Sequence, residues 1–123
     1  MSIFAFLWQL PQNILGLILR LFFKGRIVEF RGRLFRYCPR LLGGGISLGS
    51  TVIIRYTQKA APLVWAHEYG HTRQSLYLGP LYLLIIGIPS FVWAIYHKGR
   101  KQRSYYWFYT ERSADKLGGV IRK

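Results

Sequence analysis

Acid is what this sequence has least of. Four carboxylates, Glu29, Glu68, Glu111 and Asp115, stand against eighteen Lys and Arg, for a net charge of +14. Such a balance points to a polyanionic partner, nucleic acid or anionic lipid. No nucleic-acid motif accompanies the charge, so a nucleic-acid partner is not expected and anionic membrane lipid is. Charge of either sign is itself scarce. Charged residues are 18% of the chain, below the usual quarter, while apolar ones reach 51%. Cys38 is the lone cysteine, which excludes an internal disulfide and leaves a small packing residue. Repeats and linkers are missing too, and 123 residues suffice for one domain and not two.

Residues 2–19 carry no charge. An ordinary cleaved signal peptide is not expected, because the basic n-region and the small-residue cleavage site are both missing. Basic residues follow instead, from Arg20 and Lys24 to Arg40. Residues 1–23 read as a hydrophobic anchor helix, long enough to span, with its N-terminus outside and the next loop in the cytoplasm. Pro11 kinks or starts this helix. Gln9, Gln12, Asn13, Gly16 and Arg20 fall on one of its faces. That stripe suits contact with other protein elements, or with water if the helix lies flat in the interface.

Residues 24–61 read as a β-rich region. Two short runs flank Gly32 as a hairpin, Gly43-Gly44-Gly45 reads as a flexible break, and residues 46–56 read as one extended β-branched run. The glycine run lacks the Lys-Ser/Thr of a phosphate-binding loop. Pro62 suits a first helical turn, and residues 62–76 read as helix. Residues 77–97 are uncharged and mostly apolar, interrupted by Gly79-Pro80 and Gly87-Ile88-Pro89. Residues 104–117 form a last helix, ended by Gly118-Gly119.

His67-Glu68-Tyr69-Gly70-His71 matches HExxH. On a helix the two histidines share a face and can reach one ion. A catalytic zinc takes three protein ligands and leaves one position for water, and a carboxylate beside the first histidine is suited to take that water's proton. A third ligand is required. The metzincin pattern is excluded, since Tyr77 and Gln74 stand where its third histidine and its glycine belong. Glu29, His97, Glu111 and Asp115 remain. Glu111 and Asp115 lie four apart on one helical face. Zinc sites commonly pair a ligand carboxylate with a second carboxylate that orients a histidine. Glu111 is therefore read as the ligand and Asp115 as the partner of a ring N–H, that of His67. Glu68 is the general base.

These residues resemble the gluzincins, the thermolysin-like clan of HExxH zinc metallopeptidases. HEYGH corresponds to the first two ligands and the base, and Glu111 with Asp115 to the downstream ligand and its supporting aspartate. The stretches HEYGHTRQSLYLGPLYL, GIPS and YTERSADKLGGV are also similar to small bacterial membrane-associated HEYGH proteins. The resemblance implies an α+β fold: a membrane-associated minimal zincin with an active-site helix, a glutamate helix and a short upstream sheet whose edge strand holds an extended substrate. It also implies a Tyr or His that stabilises the oxyanion. Tyr56, Tyr105, Tyr106 and Tyr109 are all candidates. Soluble gluzincins lack the long apolar insert seen here.

If His67, His71 and Glu111 share an ion, residues 77–97 cannot cross a bilayer once. The return would have to be made within eight residues, about 12 Å of helix against a core of about 30 Å. We therefore expect a re-entrant or interfacial helical hairpin bent at Gly87–Pro89. Such a hairpin can pack on a second copy as readily as on lipid, so a homo-oligomer is compatible with it. The expected activity is hydrolysis of a peptide or protein substrate by one Zn2+ ion at the bacterial cytoplasmic membrane, with the site facing the cytoplasm. The alternatives are a zinc hydrolase acting on a lipid or another amide, and a non-enzymatic basic membrane protein.

Overall fold

The computed structural model of the chain describes residues 3–41, 44–98 and 108–120. These residues form a mixed α and β structure with five α-helices and a four-stranded sheet. Strands β1 (Arg26–Phe30) and β2 (Arg33–Tyr37) pair antiparallel about Arg31 and Gly32, both at positive φ. Two successive left-handed residues give a turn whose twist matches that of the strands. Strands β3 (Gly45–Leu48) and β4 (Thr51–Ile54) form a second hairpin, turned by Gly49 at φ 64°. The extended run expected over residues 46–56 is thus two strands. Its β-branched composition favours strand everywhere, and only the left-handed glycine marks the reversal. β2 and β4 are parallel, so the order is β1-β2-β4-β3 and β3 is an edge.

The sheet is covered on both faces. One face carries Phe30, Phe35, Val52 and Ile54 onto Trp65 of helix α3 (Pro62–Leu78). The Phe35 and Trp65 rings stack at 5.3 Å. Each such side chain contributes about 1.5–3 kcal/mol by leaving water. The other face gathers Ile53, Ile46, Cys38 and Leu41 against Leu19 and Phe23, at the end of helix α2 (Leu10–Phe22). Cys38 is fully buried there as a packing residue.

One anchor helix over residues 1–23 does not form. The chain breaks at Gln9 into α1 (Ile3–Trp8) and α2, with Pro11 in the first turn of α2, where no N–H is needed. Thirteen residues of α2 reach about 20 Å, two-thirds of a hydrocarbon core. No single helix among the described residues is long and apolar enough to cross a membrane. The polar stripe faces protein. The Gln12 amide donates to Ser75 Oγ and to the Gly79 carbonyl, both at 2.8 Å, and Ser75 Oγ donates to Gln9 Oε1 at 2.5 Å. The Ser50 N–H donates to Asn13 Oδ1 at 2.7 Å, and Arg20 Nε donates to Thr51 Oγ1 at 2.8 Å.

The bend expected at Gly87–Pro89 falls earlier. Gly79 takes φ 57°, a tight turn covers Gly79–Leu81, and the chain leaves at 119° to α3. A Cβ on Gly79 would lie 2.1 Å from the Trp8 indole, so the turn needs glycine for space as well as for φ. The arms of the bent pair are Pro62–Leu81 and Leu83–His97. Gly87-Ile88-Pro89 instead lies on a continuous helical path, where a π turn over Leu83–Gly87 runs into α4 (Ile88–Lys98). The wider turn accommodates the proline ring, which would strike a carbonyl in a regular ladder. The last helix, α5, is Tyr109–Gly118, closed by Gly119 at a left-handed φ of 75°. Residues 104–107, expected at its start, lie outside the described residues.

Candidate metal centre

The site is made by two helices that touch backbone to backbone. Ala66 and Gly70 stand one turn apart on α3, as do Ala114 and Gly118 on α5. A Cβ on Gly70 would lie 1.7 Å from the Ala114 carbonyl oxygen, and one on Gly118 would lie 2.0 Å from that of Ala66. Only glycine permits this approach. Arg31, in the β1–β2 turn, fastens the far end by donating to the Gly118 carbonyl at 2.7 Å. The approach sets Glu111 and Asp115 of α5 directly against His67 and His71 of α3.

His67 Nε2 and His71 Nε2 each lie 3.0 Å from the same oxygen, Glu111 Oε1. Neighbouring donors in a tetrahedral zinc site with ligands at 2.0–2.1 Å are about 3.3 Å apart. Each imidazole nitrogen therefore stands near ligand spacing from the Glu111 oxygen. His67, Glu68 and His71 also each offer a donor atom within 4.8 Å of the others, and all three are buried, so the group can hold a metal ion.

Every donor is fixed from behind. His67 Nδ1 faces Asp115 Oδ1 at 2.7 Å. His71 Nδ1 donates to Gln74 Oε1 at 2.6 Å. The Gln74 amide in turn donates to the Thr110 carbonyl at 3.0 Å and to the Ser113 hydroxyl. The Ser90 and Thr110 hydroxyls both donate to Glu111 Oε2 at 2.5 Å, leaving Oε1 turned to the histidines. Partners of this kind set the tautomer and direction of a ligand. Glu68 lies against β3, where a Cβ on Gly45 would come within 3.0 Å of its Cγ. Gly45 is therefore no part of a flexible break. It opens a strand, and its missing side chain makes room for the carboxylate; residues 42–43 lie outside the described residues.

The electrostatics share one cause. Burial alone would lower His67, but hydrogen bonds to Asp115 and Glu111 and the charge of Glu68 outweigh it and raise it to about 9. Burial pushes Glu111 up, yet hydrogen bonds from both imidazoles override that and hold it well below the usual carboxylate range. Burial pushes Glu68 up, and the two histidines offset only part of the rise. Three of the chain's four acids meet where water is largely excluded. Among the described residues no Lys or Arg lines the cleft beside them. Such a donor set favours a cation.

The cleft has a volume of about 620 Å³. Besides His67, Glu68, His71 and Glu111 it is lined by β3 and by apolar side chains of α2, α3 and α4. Gly44 bonds across to Arg55 through its carbonyl at 3.0 Å, so along β3 the pairing residues are Gly44, Ile46 and Leu48. Gly45 and Ser47 turn their backbone groups to the free edge. There the Ser47 carbonyl accepts the Tyr82 hydroxyl at 3.1 Å.

The other sequence candidates lie elsewhere. Glu29 is exposed on β1. The His97 ring lies 5.4 Å from that of Trp93, outside the cleft lining. Tyr109 donates to the Ile85 carbonyl at 2.7 Å, Tyr56 is exposed beside Arg55, and neither lines the cleft. Tyr105 and Tyr106 lie outside the described residues. Among the described tyrosines it is Tyr82 that lines the cleft. Sequence reasoning passed over Tyr82, Gln74, Thr110 and Ser90. The i+3 spacing of Gln74 from His71 is a signal that was there to read. Nothing local marks Ser90, which is 21 residues from Glu111. No protein-family model, curated protein or solved structure matches this chain.

Proposed function

We propose that the protein is a zinc-dependent metallopeptidase that cleaves peptide bonds at or near a membrane surface. One observation carries this reading: two imidazole Nε2 atoms meet one Glu111 oxygen, beside the buried Glu68 carboxylate and next to a free strand edge. Two nitrogens and one carboxylate oxygen, with a further position open, are the donors of catalytic zinc. When bound, the ion supplies an electrophile that acidifies water and polarises a carbonyl. His67, His71 and Glu111 would hold it, and Asp115, Gln74, Ser90 and Thr110 keep them aimed. Glu68 takes the proton of the attacking water and delivers it to the leaving amine; burial raises its pKa, which makes the carboxylate a better proton acceptor. An extended peptide can pair with Gly45 and Ser47 at the edge of β3. Tyr82, bonded to that strand, is the tyrosine nearest at hand for the oxyanion.

A membrane setting is supported by where the apolar surface lies. Phe4, Leu7, Leu21 and Phe22 are exposed on α1 and α2, and Phe91, Val92 and Ile95 on α4. Exposed apolar faces of this extent mark membrane or partner contacts, and a net charge of +14 favours an anionic leaflet. The apolar cleft lining also suits an acyl chain, which keeps a lipid hydrolase as the second reading.

Metal analysis and peptide hydrolysis test the proposal together. Protein purified in detergent without chelators should carry one zinc per chain, and Glu111→Ala should lose both zinc and turnover. A wild-type protein that takes up no zinc at micromolar concentrations sinks the reading.

A further inference from the structure

We infer that the cleft takes an apolar, uncharged peptide segment that reaches it from the lipid phase, not a soluble polar peptide. The inference rests on the peptidase reading of the site and names its substrate class. Among the described residues no Lys or Arg lines the cleft, and the only carboxylates that do are Glu68 and Glu111. A charged substrate residue there would lose its water without gaining a partner, a cost far above what one apolar contact returns. The walls suit apolar side chains instead: Leu19, Phe23, Leu48, Phe91 and Ala94 all face the cavity.

Phe91 shows where the cleft opens. It lines the cavity and is also 66% exposed. Next to it on α4, Val92 and Ile95 continue the exposed apolar surface, and Leu21 and Phe22 do the same beside Leu19 and Phe23 on α2. The way in is thus bordered by side chains that belong in an apolar medium. A segment already in the leaflet can slide between them without meeting a charged side chain of the described residues.

Two features select peptide over an acyl chain. The edge of β3 presents the backbone groups of Gly45 and the Ser47 N–H, which an acyl chain cannot use; the Ser47 carbonyl already accepts from Tyr82. Ser47 Oγ, in a residue only 6% exposed, has no hydrogen-bond partner although Ser47 lines the cleft. A buried hydroxyl without a partner is costly, and a bound peptide backbone supplies one.

The test is photo-crosslinking with the zinc-loaded, full-length Glu68→Gln variant in phosphatidylglycerol vesicles. The probes are two peptides of equal length carrying a central photoreactive residue. One has Leu, Ala and Val around it, and the other has Lys at alternate positions. We expect the apolar peptide to label residues of β3 and α4 at least tenfold more than the lysine peptide. Phe91→Asp and Ala94→Arg should each cut that labelling at least fivefold, with helix content unchanged by circular dichroism. Leu34→Asp, on an exposed site of β2 away from the cleft, should leave it intact. Equal labelling by both peptides overturns the inference. So does labelling confined to the outer face of α1, or a fatty-acyl probe that labels the cleft better than the apolar peptide. If the peptide is captured at the cleft but wild-type protein never cleaves it, the peptidase reading fails and this inference stands.

Discussion

Helices α3 and α4 follow one another in the chain and invert each other's chemistry. α3 buries its polar residues: His67, Glu68, His71, Thr72, Gln74 and Ser75 all lie inside. α4 exposes apolar ones, among them Ile88, Phe91, Val92 and Ile95. In a water-soluble domain each arrangement is unfavourable. For α3 the cost is met by partners brought from far along the chain, Gln9 from the α1–α2 break, Gln12 from α2, and Glu111 and Asp115 from α5. For α4 no partner among the described residues covers the face, and the cost is met only by an apolar medium or an apolar partner surface. The contrast assigns chemistry to one helix and surroundings to the other.

The largest expected effect lies on α3. Glu68→Gln keeps the two imidazole nitrogens and the Glu111 oxygen they meet but removes the carboxylate proposed to move the proton. Turnover should fall by about 10²- to 10⁴-fold. Zinc content, read by atomic emission, should stay at one per chain. A fully active variant removes Glu68 from the mechanism.

The next effect appears when metal is removed. His67 is raised from 6.5 to about 9 by its carboxylate partners. A raised pKa means that the protonated contacts contribute fully below pH 6.5 and are lost as pH climbs through about 9. At about 1.4 kcal/mol per pH unit this is roughly 3 kcal/mol. Thermal melts of metal-stripped protein should therefore weaken between pH 6.5 and 9. Zinc should flatten that profile, because a ligand imidazole carries no proton to lose. A flat profile without metal would mean that His67 is not held between Asp115 and Glu111.

Gly70→Ala acts on the seam between α3 and α5. The new methyl would collide with the Ala114 carbonyl, an atom that cannot swing aside. Overpacking of this kind costs about 1–3 kcal/mol, and a backbone clash belongs at the upper end. We expect a lower melting temperature together with weaker zinc binding, since α5 carries Glu111. Stability lost without any change in zinc affinity would separate the seam from the site.

Much of α3 was legible from sequence, because the spacing of His67, Glu68 and His71 is local and a helix places i and i+4 together. The polar stripe on α2 was legible for the same reason. What escaped was long-range or hinged on a single dihedral. The bend was placed at Gly87–Pro89 because Pro reads as a breaker, but a π turn absorbs it, and Gly79 turns the chain through a positive φ that composition does not display. The strand run over residues 46–56 hid a reversal at Gly49 in the same way. Tyr82 and Ser90 reach the cleft only because α4 folds back from that bend, so no window around either residue contains the signal.

Ser90 also marks where the contrast between the two helices gives way. It belongs to the apolar helix, yet its hydroxyl donates to Glu111 Oε2, the oxygen turned away from the histidines. Thr110 holds the same oxygen from within α5, so Ser90→Ala should loosen the carboxylate without releasing it. Losing one such supporting contact costs about 10-fold or more in metal affinity, and the shared load places this variant at the low end. Competition against a chelator of known affinity measures it, and Ser90→Thr, which keeps the hydroxyl, should recover most of the loss. If α4 were only a membrane anchor, Ser90→Ala would leave zinc affinity unchanged and alter membrane binding alone. A tenfold loss with unchanged vesicle binding would instead make α4 a working wall of the site, so that whatever moves this helix also moves the carboxylate.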